Sequence, residues 1–188
     1  SFIYHYENNL VSIGFVVPLN YDNPYLAPFE EFQRFKTHPL VRGTFEGGKR
    51  IAYGARAITQ GGFQSVPKLV FSGGALIGCA AGFVNVPRIK GTHNAMTSGI
   101  LAAEACAEAL KAGRAHDELS GYEEAWRTSP VGRDLWKVRN VKPLLTRFGT
   151  TLGTGLGGFD MWTNTLFGIS LFGTLKHGKP DYASLKPA

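Results

Sequence analysis

The stretch GCAAGFVNVPRIKGTHNAMTSG, residues 78–99, constrains the fold of this chain more than any other part of its sequence. It overlaps the end of the short apolar run GGALIG, and a run this short, bounded by glycines, is typical of a buried central strand. Small residues then recur at helical spacing over 91–113, which predicts a helix that packs closely on its neighbour. The small residues on that face are Gly91, Ala95, Gly99, Ala102, Ala103 and Cys106.

The start of this predicted helix is a candidate site for negative charge. The first N–H groups of a helix have no partner within it, and the helix N-terminus carries a partial positive charge. Gly82 and Gly91 in the adjoining loop permit a planar or phosphorylated ligand to approach the backbone closely. As a bare pattern, an ordinary strand–loop–helix packing junction is several times commoner than a cofactor site, so the pattern alone leaves both interpretations open.

Composition restricts the partners and the metal chemistry of the 188-residue chain. Its net charge of +6 is scattered, and apolar side chains interrupt the densest basic stretch, 127–147, so we predict no nucleic-acid partner. Cys79 and Cys106 are too few for an iron–sulfur cluster held by four thiolates, and we expect both to be buried free thiols. The five histidines show no metal-ligand spacing, so we predict no metal site and no catalytic residue in this chain.

The first part of the chain contains signals for a hairpin and a helix. The β-rich runs SFIYHYENN and LVSIGFVVPLN meet at the polar residues 7–9, which predicts two strands and a short turn. Phe29, Phe32 and Phe35 recur at helical spacing between two prolines, which predicts a helix of about three turns with these rings in the core. Residues 45–58 are predicted to form a further strand. The opening sequence lacks the basic n-region of a signal peptide and is interpreted as mid-protein sequence.

The last part of the chain changes in composition. A helical zone is predicted from Ser120 to about Arg147, with a break at Pro130 and Gly132. Over 148–175 the only ionisable side chain is that of Asp160. Glycine, threonine, serine and asparagine make up about half of this segment. It is therefore a poor transmembrane span, and an amphipathic helix lying in the membrane interface fits it better.

We place this interfacial helix at about 153–172, with apolar side chains toward lipid and the flanking basic residues toward the headgroups. Asp160 then has to lie on the water side, because an ionised carboxylate in lipid is costly. The alternative is a glycine-rich packing helix in the core of a larger protein. The side chains predicted to face the membrane are Phe159, Trp162, Leu166, Phe167, Ile169, Leu171 and Phe172.

The stretch at 78–99 and the helix after it resemble the second flavin-contact motif of the glutathione-reductase-like FAD proteins. Cys79 stands where that motif usually has aspartate. The segments DNPYLAPFEEFQRFKTHP, EGGKRIAYGARAI, GGFQSVPKL, KGTHNAMTSGILAAEA and VRNVKP extend the likeness. With them, nearly the whole chain resembles the electron transfer flavoprotein:ubiquinone oxidoreductases. The residues that match the flavin motif are Gly78, Ala81, Gly82, Phe83, Asn85, Pro87, Gly91, Ala95, Ser98, Gly99, Ala102 and Ala103.

The resemblance implies an α+β portion of such an enzyme. Residues 1–65 would belong to a ubiquinone-binding domain, 66–113 to the C-terminal part of a glutathione-reductase-like FAD domain, and 114–188 to a helical region. The resemblance implies that the membrane-interfacial helix of this region, with its membrane-facing side chains, lies beside the quinone entry. The enzyme would be monotopic at an inner membrane, bacterial or mitochondrial. It would pass electrons from reduced electron transfer flavoprotein through FAD and a [4Fe–4S] cluster to ubiquinone. The GxGxxG motif for FAD and the cluster cysteines are absent from this chain, so the chain alone is expected to be inactive.

The resemblance also implies site residues. The turn at 90–94 would lie at the flavin ring, with the helix start stabilising negative charge and Asn94 donating a hydrogen bond. Two alternatives stay open, which are a geranylgeranyl-reductase-like or nitrogen-fixation-linked flavoprotein and a non-enzymatic membrane-surface binding module. The residues implied to contact FAD are Gly78, Cys79, Gly82, Phe83, Lys90, Gly91, Thr92, His93 and Asn94.

Overall fold

The computed structural model describes residues 1–187, which form helices and two small antiparallel sheets and so confirm the mixed α+β class. The chain divides into two compact units. One unit comprises residues 1–55 and the C-terminal residues from 179 on, and the other comprises residues 56–178. The hydrophobic core and the predicted FAD residues lie in the second unit.

The first unit begins with the predicted hairpin. Strands β1 (Phe2–His5) and β2 (Val11–Gly14) pair antiparallel, which confirms the prediction. Asn8 and Asn9 in the turn have φ of 58° and 56°. Asparagine is among the few residues other than glycine that enter this left-handed region readily, and the polar turn signal in the sequence reflects that property.

The predicted helix follows as α1 (Pro28–Thr37), and one further turn forms α2 (Pro39–Arg42). The expectation that its phenylalanines form a core was wrong, because α1 contributes no buried residue and the Phe29 ring is 68% exposed. Phe32 and Phe35 are half-buried and pack beside Phe15. In the described part of this unit the only sheet has two strands, which is too little surface to cover every side of the helix.

The strand predicted at 45–58 is also wrong, because residues 48–62 have no regular secondary structure. An extended segment becomes a strand only when a neighbour accepts and donates its backbone hydrogen bonds. Residues 51–59 instead remain exposed along their whole length.

The apolar run GGALIG does not form the predicted central strand. Strands β3 (Val70–Phe71) and β4 (Gly74–Ala75) make a hairpin of two residue pairs, and a 3₁₀ turn over Gly78–Ala81 follows. Gly73 and Gly78 have φ of 78° and 54°, so the chain turns at both ends of the run. The glycines that seemed to bound one strand therefore divide the segment into turns.

Three helices surround the core of the second unit. Helix α3 (Thr92–Lys111) confirms the helix predicted over 91–113, and α4 (Ser120–Thr128) and α5 (Pro130–Lys137) meet at the predicted break. A Cβ atom on Gly132 would lie 2.1 Å from the carbonyl oxygen of Arg127, so the junction requires glycine. The core side chains are Leu69, Val70, Ala81, Phe83, Tyr122, Trp126, Val131 and Leu135.

Helix α6 (Val141–Phe167) consists of two segments separated at Gly149, whose φ of 71° and ψ of −178° are not helical. The second segment folds back along the first. A Cβ atom on Gly153 would lie 2.7 Å from the Leu144 carbonyl oxygen, and one on Gly157 would lie 3.4 Å from Val141 Cα. These glycines allow the two backbones to pack in close contact.

The helix predicted at 153–172 ends earlier than expected. Gly168, with φ of 70°, terminates it after Phe167, so Ile169, Leu171 and Phe172 lie in the following loop. Within residues 1–187, no helix combines the length and apolar character that crossing a bilayer would require.

Candidate functional site

The N-terminus of α3 is the first candidate site. Gly91 occupies the N-cap position, and no side chain caps the helix. Lys90, Thr92 and His93 are exposed around it. The N–H groups of the first turn and these side chains together offer hydrogen-bond donors and positive potential, which suit a negatively charged or acceptor-rich group.

The loop before α3 is folded tightly on itself. Asn85 and Lys90 exchange backbone hydrogen bonds of 2.8 Å and 3.3 Å. The Asn85 side-chain oxygen accepts a hydrogen bond from the Arg88 backbone N–H at 3.2 Å. Ile89 has φ of 53°, a conformation that is rare for a β-branched residue. The loop conformation is therefore strained, and the surrounding hydrogen bonds maintain it.

The 3₁₀ turn packs directly on the first two turns of α3. The Gly78 N–H donates to the buried Ser98 Oγ at 3.0 Å, and a Cβ atom on Gly78 would lie 3.0 Å from Ala95 Cβ. Gly82 is also buried, with φ of 83° and Thr59 beside it. Packing of the protein on itself thus explains part of the small-residue pattern that suggested a cofactor.

Two of the predicted FAD residues make internal contacts. The Phe83 ring is fully buried and its centroid lies 5.2 Å from that of Trp126, so this ring is part of the core. Asn94 is also buried, and its Nδ2 donates to the Phe83 carbonyl oxygen and to Asp134 Oδ2, both at 3.2 Å. Nδ2 carries two N–H groups, and both are used in these contacts. Donation from Asn94 to a flavin stays a prediction.

Asp134 on α5, which the sequence analysis did not single out, connects these parts. Its Oδ2 accepts hydrogen bonds from Nδ2 of Asn85 at 2.9 Å and of Asn94 at 3.2 Å, and lies 3.3 Å from His93 Nε2. Arg88 Nη1 lies 3.4 Å from Oδ1. Burial alone would raise the pKa of Asp134, but the hydrogen bonds from Asn85, Asn94 and His93 and the charge of Arg88 outweigh burial and hold the pKa below its usual value.

The cysteines differ from expectation, since both Cys79 and Cys106 are exposed rather than buried. Cys79 lies in the 3₁₀ turn, and Cys106 lies on α3. In the described residues, no three or more His, Cys, Asp or Glu side chains are grouped so that they could hold a metal ion.

The structure places all nine predicted FAD residues in the 3₁₀ turn, the loop after it or the first turn of α3. Their side chains do not share one environment. Gly91 is half-buried at the helix start. Exposed members of the set are Cys79, Lys90, Thr92 and His93, and buried members are Gly78, Gly82, Phe83 and Asn94.

A second candidate site is the exposed side of the α6 segment after Gly149. Gly153, Gly157, Asp160 and Asn164 face inward and are buried. Several large apolar side chains are exposed on the rest of the helix surface, beside threonines, and so many exposed apolar side chains are unusual for a helix that faces only water. We call these residues, with the apolar residues of the loop after the helix, the α6 surface. They are Leu152, Phe159, Trp162, Leu166, Phe167, Ile169, Leu171 and Phe172.

The expectation that Asp160 lies in water was wrong, because it is only 2% exposed. Its Oδ2 accepts a hydrogen bond from Asn140 Nδ2 at 3.0 Å, and its Oδ1 accepts from Ser170 Oγ at 2.8 Å and the Leu171 N–H at 2.9 Å. Three protein donors replace water around this carboxylate, so it is satisfied inside the protein. Its contacts anchor the loop that carries the second part of the α6 surface.

Comparison with known proteins shows similarity along the whole chain. A family model described as ETF-QO, ubiquinone-binding, matches residues 1–58. The chain is 52% identical to electron transfer flavoprotein-ubiquinone oxidoreductase of Pseudomonas aeruginosa over 189 residues, which include all of this chain and 34% of that protein. It is 48% identical to the mitochondrial protein of that name from Homo sapiens over 204 residues, again with all of this chain and 31% of the relative. The chain thus spans about a third of the length of the curated relatives it matches.

Proposed function

Because this chain belongs to the electron transfer flavoprotein-ubiquinone oxidoreductase family, we propose that it takes part in electron transfer from reduced electron transfer flavoprotein to ubiquinone. The observation that carries the proposal is identity of about half over the whole chain with both a bacterial and a mitochondrial relative of that name. The protein then acts as an oxidoreductase of the respiratory chain, with electron transfer flavoprotein and ubiquinone as its partners.

We assign three regions to this activity. Residues 1–65 form part of the ubiquinone-binding region, which the family model over 1–58 supports. Residues 66–113 form the C-terminal part of an FAD-binding region, which the uncapped start of α3 supports. Residues 114–188 form a helical region whose α6 surface faces the membrane.

The residues at the start of α3 fit a bound FAD, because they form a set of donors without a capping side chain. FAD, when bound, supplies the capacity to accept and release electrons. The backbone N–H groups from Thr92 onward and the exposed Lys90 and His93 would hold its acceptor-rich edge. The positive end of the helix dipole stabilises negative charge, so this arrangement favours the reduced form of a flavin.

The family route includes a [4Fe–4S] cluster, but the residues of this chain do not fit one. Such a cluster takes four thiolates, and the chain contains two cysteines, Cys79 and Cys106. We therefore assign no cluster ligand to this chain.

We further propose that the α6 surface rests on the inner membrane, either the bacterial cytoplasmic membrane or the matrix side of the mitochondrial one. Ubiquinone is dissolved in lipid, so an enzyme that reduces it has to reach the bilayer. Exposed Phe159 and Trp162 suit the interfacial region, where aromatic side chains are enriched. This mode of attachment is peripheral and needs no spanning helix.

The test is to purify the intact protein that contains this chain and to measure flavin content and quinone reduction together. We expect yellow protein that releases one FAD per chain on denaturation and reduces a ubiquinone analogue only when reduced electron transfer flavoprotein is supplied. A flavoprotein that does not reduce quinone would favour the geranylgeranyl-reductase-like alternative. Membrane binding without flavin would favour the non-enzymatic binding module.

A further inference from the structure

One carboxylate joins three separate parts of the second unit. Asp134 on α5 is contacted by Asn85 and Arg88 from the loop and by His93 and Asn94 from the first turn of α3. The three side chains that contact Asp134 Oδ2 lie 40 to 49 residues from Asp134 in sequence. The side chain of Asp134 is 16% exposed and its partners Asn85 and Asn94 are buried, so these two hydrogen bonds are shielded from water. The Arg88 and His93 side chains are 66% and 50% exposed, so their contacts with Asp134 are comparable to surface ion pairs.

The groups that Asp134 binds are those that set the shape of the loop. Asn85 uses its backbone to close the loop on Lys90 and its side-chain oxygen to accept from Arg88, while its Nδ2 is held by Asp134. Asn94 Nδ2 also donates to Asp134, and its second donation, to the Phe83 carbonyl oxygen, connects α3 to the start of the loop. Without Asp134, two buried amide groups lose an acceptor, and the positive φ of Ile89 loses the contacts that hold the strained loop.

Asp134 also sets the local charge. Its carboxylate lies next to His93 and Arg88, both of which are on or beside the helix start, where donors to a flavin are proposed. Its negative charge opposes the positive helix end, and Arg88 offsets that effect. Asparagine has nearly the shape of aspartate but no charge, so Asp134→Asn separates the effect of the charge from the effect of the hydrogen bonds.

We propose that Asp134 is a positioning residue that holds the loop over 85–90 and the first turn of α3 in the arrangement that binds the flavin. This inference rests on the function proposed above. Asp134 does not contact the cofactor itself but acts through Asn85 and Asn94.

The experiment compares Asp134→Ala, Asp134→Asn and the control Asp117→Asn in the intact protein. Asp117 is matched to Asp134 because it also pairs with an arginine, Arg114, but it lies outside the site. For each variant we would measure FAD dissociation, the flavin midpoint potential and hydrogen exchange of residues 83–94. Asp134→Ala is expected to weaken FAD binding roughly ten-fold and to speed amide exchange in the loop, since hydrogen bonds to a charged group are lost.

Asp134→Asn keeps an acceptor oxygen and removes the charge, so we expect a smaller loss of FAD and a rise in the flavin potential. Asp117→Asn should leave all three measurements unchanged. FAD affinity, potential and exchange in both Asp134 variants equal to those of the wild type would overturn the inference and leave the proposed function intact. Wild-type protein that carries no FAD would overturn both. If Asp134→Ala does not fold, Asn85→Ala provides the same comparison from the loop side.

Discussion

Asn140 donates a hydrogen bond to Asp160 across 20 positions of sequence, with 3.0 Å between Nδ2 and Oδ2 and both side chains buried. The same Nδ2 also lies within 2.9 Å of Ser170 Oγ and 2.8 Å of the Gly173 carbonyl oxygen. Asn140 Oδ1 in turn accepts from the Leu175 N–H at 2.9 Å. This pair therefore fixes the loop after α6, including the exposed residues that we assign to the membrane, to the beginning of that helix.

Replacing Asp160 with alanine should release this loop. Asn140 Nδ2, Ser170 Oγ and the Leu171 N–H each lose a hydrogen bond to Asp160, so the free energy of opening the loop should fall by about 2 kcal/mol. Hydrogen exchange of residues 168–175 in the intact protein measures this directly. Asp181→Ala, at an exposed aspartate, is the control and should leave exchange in the loop unchanged. Unchanged protection in Asp160→Ala would show that the cluster does not hold the loop.

Two glycines of α6 should respond oppositely to the same change. A Cβ atom on Gly153 would lie 2.7 Å from both the Leu144 carbonyl oxygen and Leu145 Cα, whereas one on Gly155 would have no neighbour within 4 Å. Gly153→Ala should therefore destabilise the helix pair by about 1–3 kcal/mol, because backbone atoms have to move. Gly155→Ala should be neutral or stabilising by up to about 1 kcal/mol, since alanine favours helix. Thermal unfolding of both variants measures the two changes in stability. Equal changes in Gly153→Ala and Gly155→Ala would contradict close packing at Gly153.

Removing aromatic rings from the α6 surface should weaken membrane binding. Phe159 and Trp162 are 60% and 62% exposed on one side of the helix. Burying a large apolar side chain in lipid is worth about 1.5–3 kcal/mol, so Phe159→Ser and Trp162→Ser should each reduce liposome binding roughly ten-fold or more. Tyr182→Ser, which removes an exposed ring elsewhere, is the control. If the three variants bind liposomes equally well, the α6 surface is not the contact with lipid.

Tyr122 should make the protein less stable at alkaline pH. Burial raises its pKa to about 12, and the unfolded side chain titrates near 10. The folded state then holds the proton more tightly, so stability is complete below about pH 10 and falls as pH rises toward about 12.

The matched variants are Tyr122→Phe and Tyr182→Phe, at a buried and an exposed tyrosine. Tyr122→Phe loses the hydrogen bond to the Leu76 carbonyl oxygen, at a cost of about 1 kcal/mol at neutral pH, but should lose less stability between about pH 10 and 12. Thermal melting across this range measures the slope. If the stability of Tyr122→Phe falls with pH as steeply as that of the wild type, Tyr122 is not the source of the alkaline loss of stability.

The elements that were predicted correctly depend on signals between near neighbours. The β1–β2 hairpin follows from two β-rich runs and asparagines that tolerate positive φ, and α5 begins at Pro130 with Ser129 as its cap. The elements that were predicted wrongly depend on partners. Residues 45–58 were predicted as a strand bounded by glycines, and GGALIG was predicted as a strand from its apolar character. A strand, however, exists only where another backbone lies alongside it.

Asp134 shows the same limit at the candidate site. Nothing around it in sequence distinguishes it from a solvated aspartate between basic residues, because its partners Asn85 and Asn94 lie 49 and 40 positions away. Asp160 was noticed as the only charge in its segment, but its burial depends on Asn140 and Ser170, which only the folded backbone brings together.

The sequence by itself determined the family resemblance, the α3 helix with its glycine at the N-cap, and the apolar character of the segment after Gly149, because these are properties of residues and their spacing along the chain. The tertiary structure decided which small residues serve packing, as Gly78 does against Ala95, and which carboxylates are enclosed by donors. It did so because burial and hydrogen-bond partners depend on distances in space, and those are set when α5 and α6 pack, not by position in sequence.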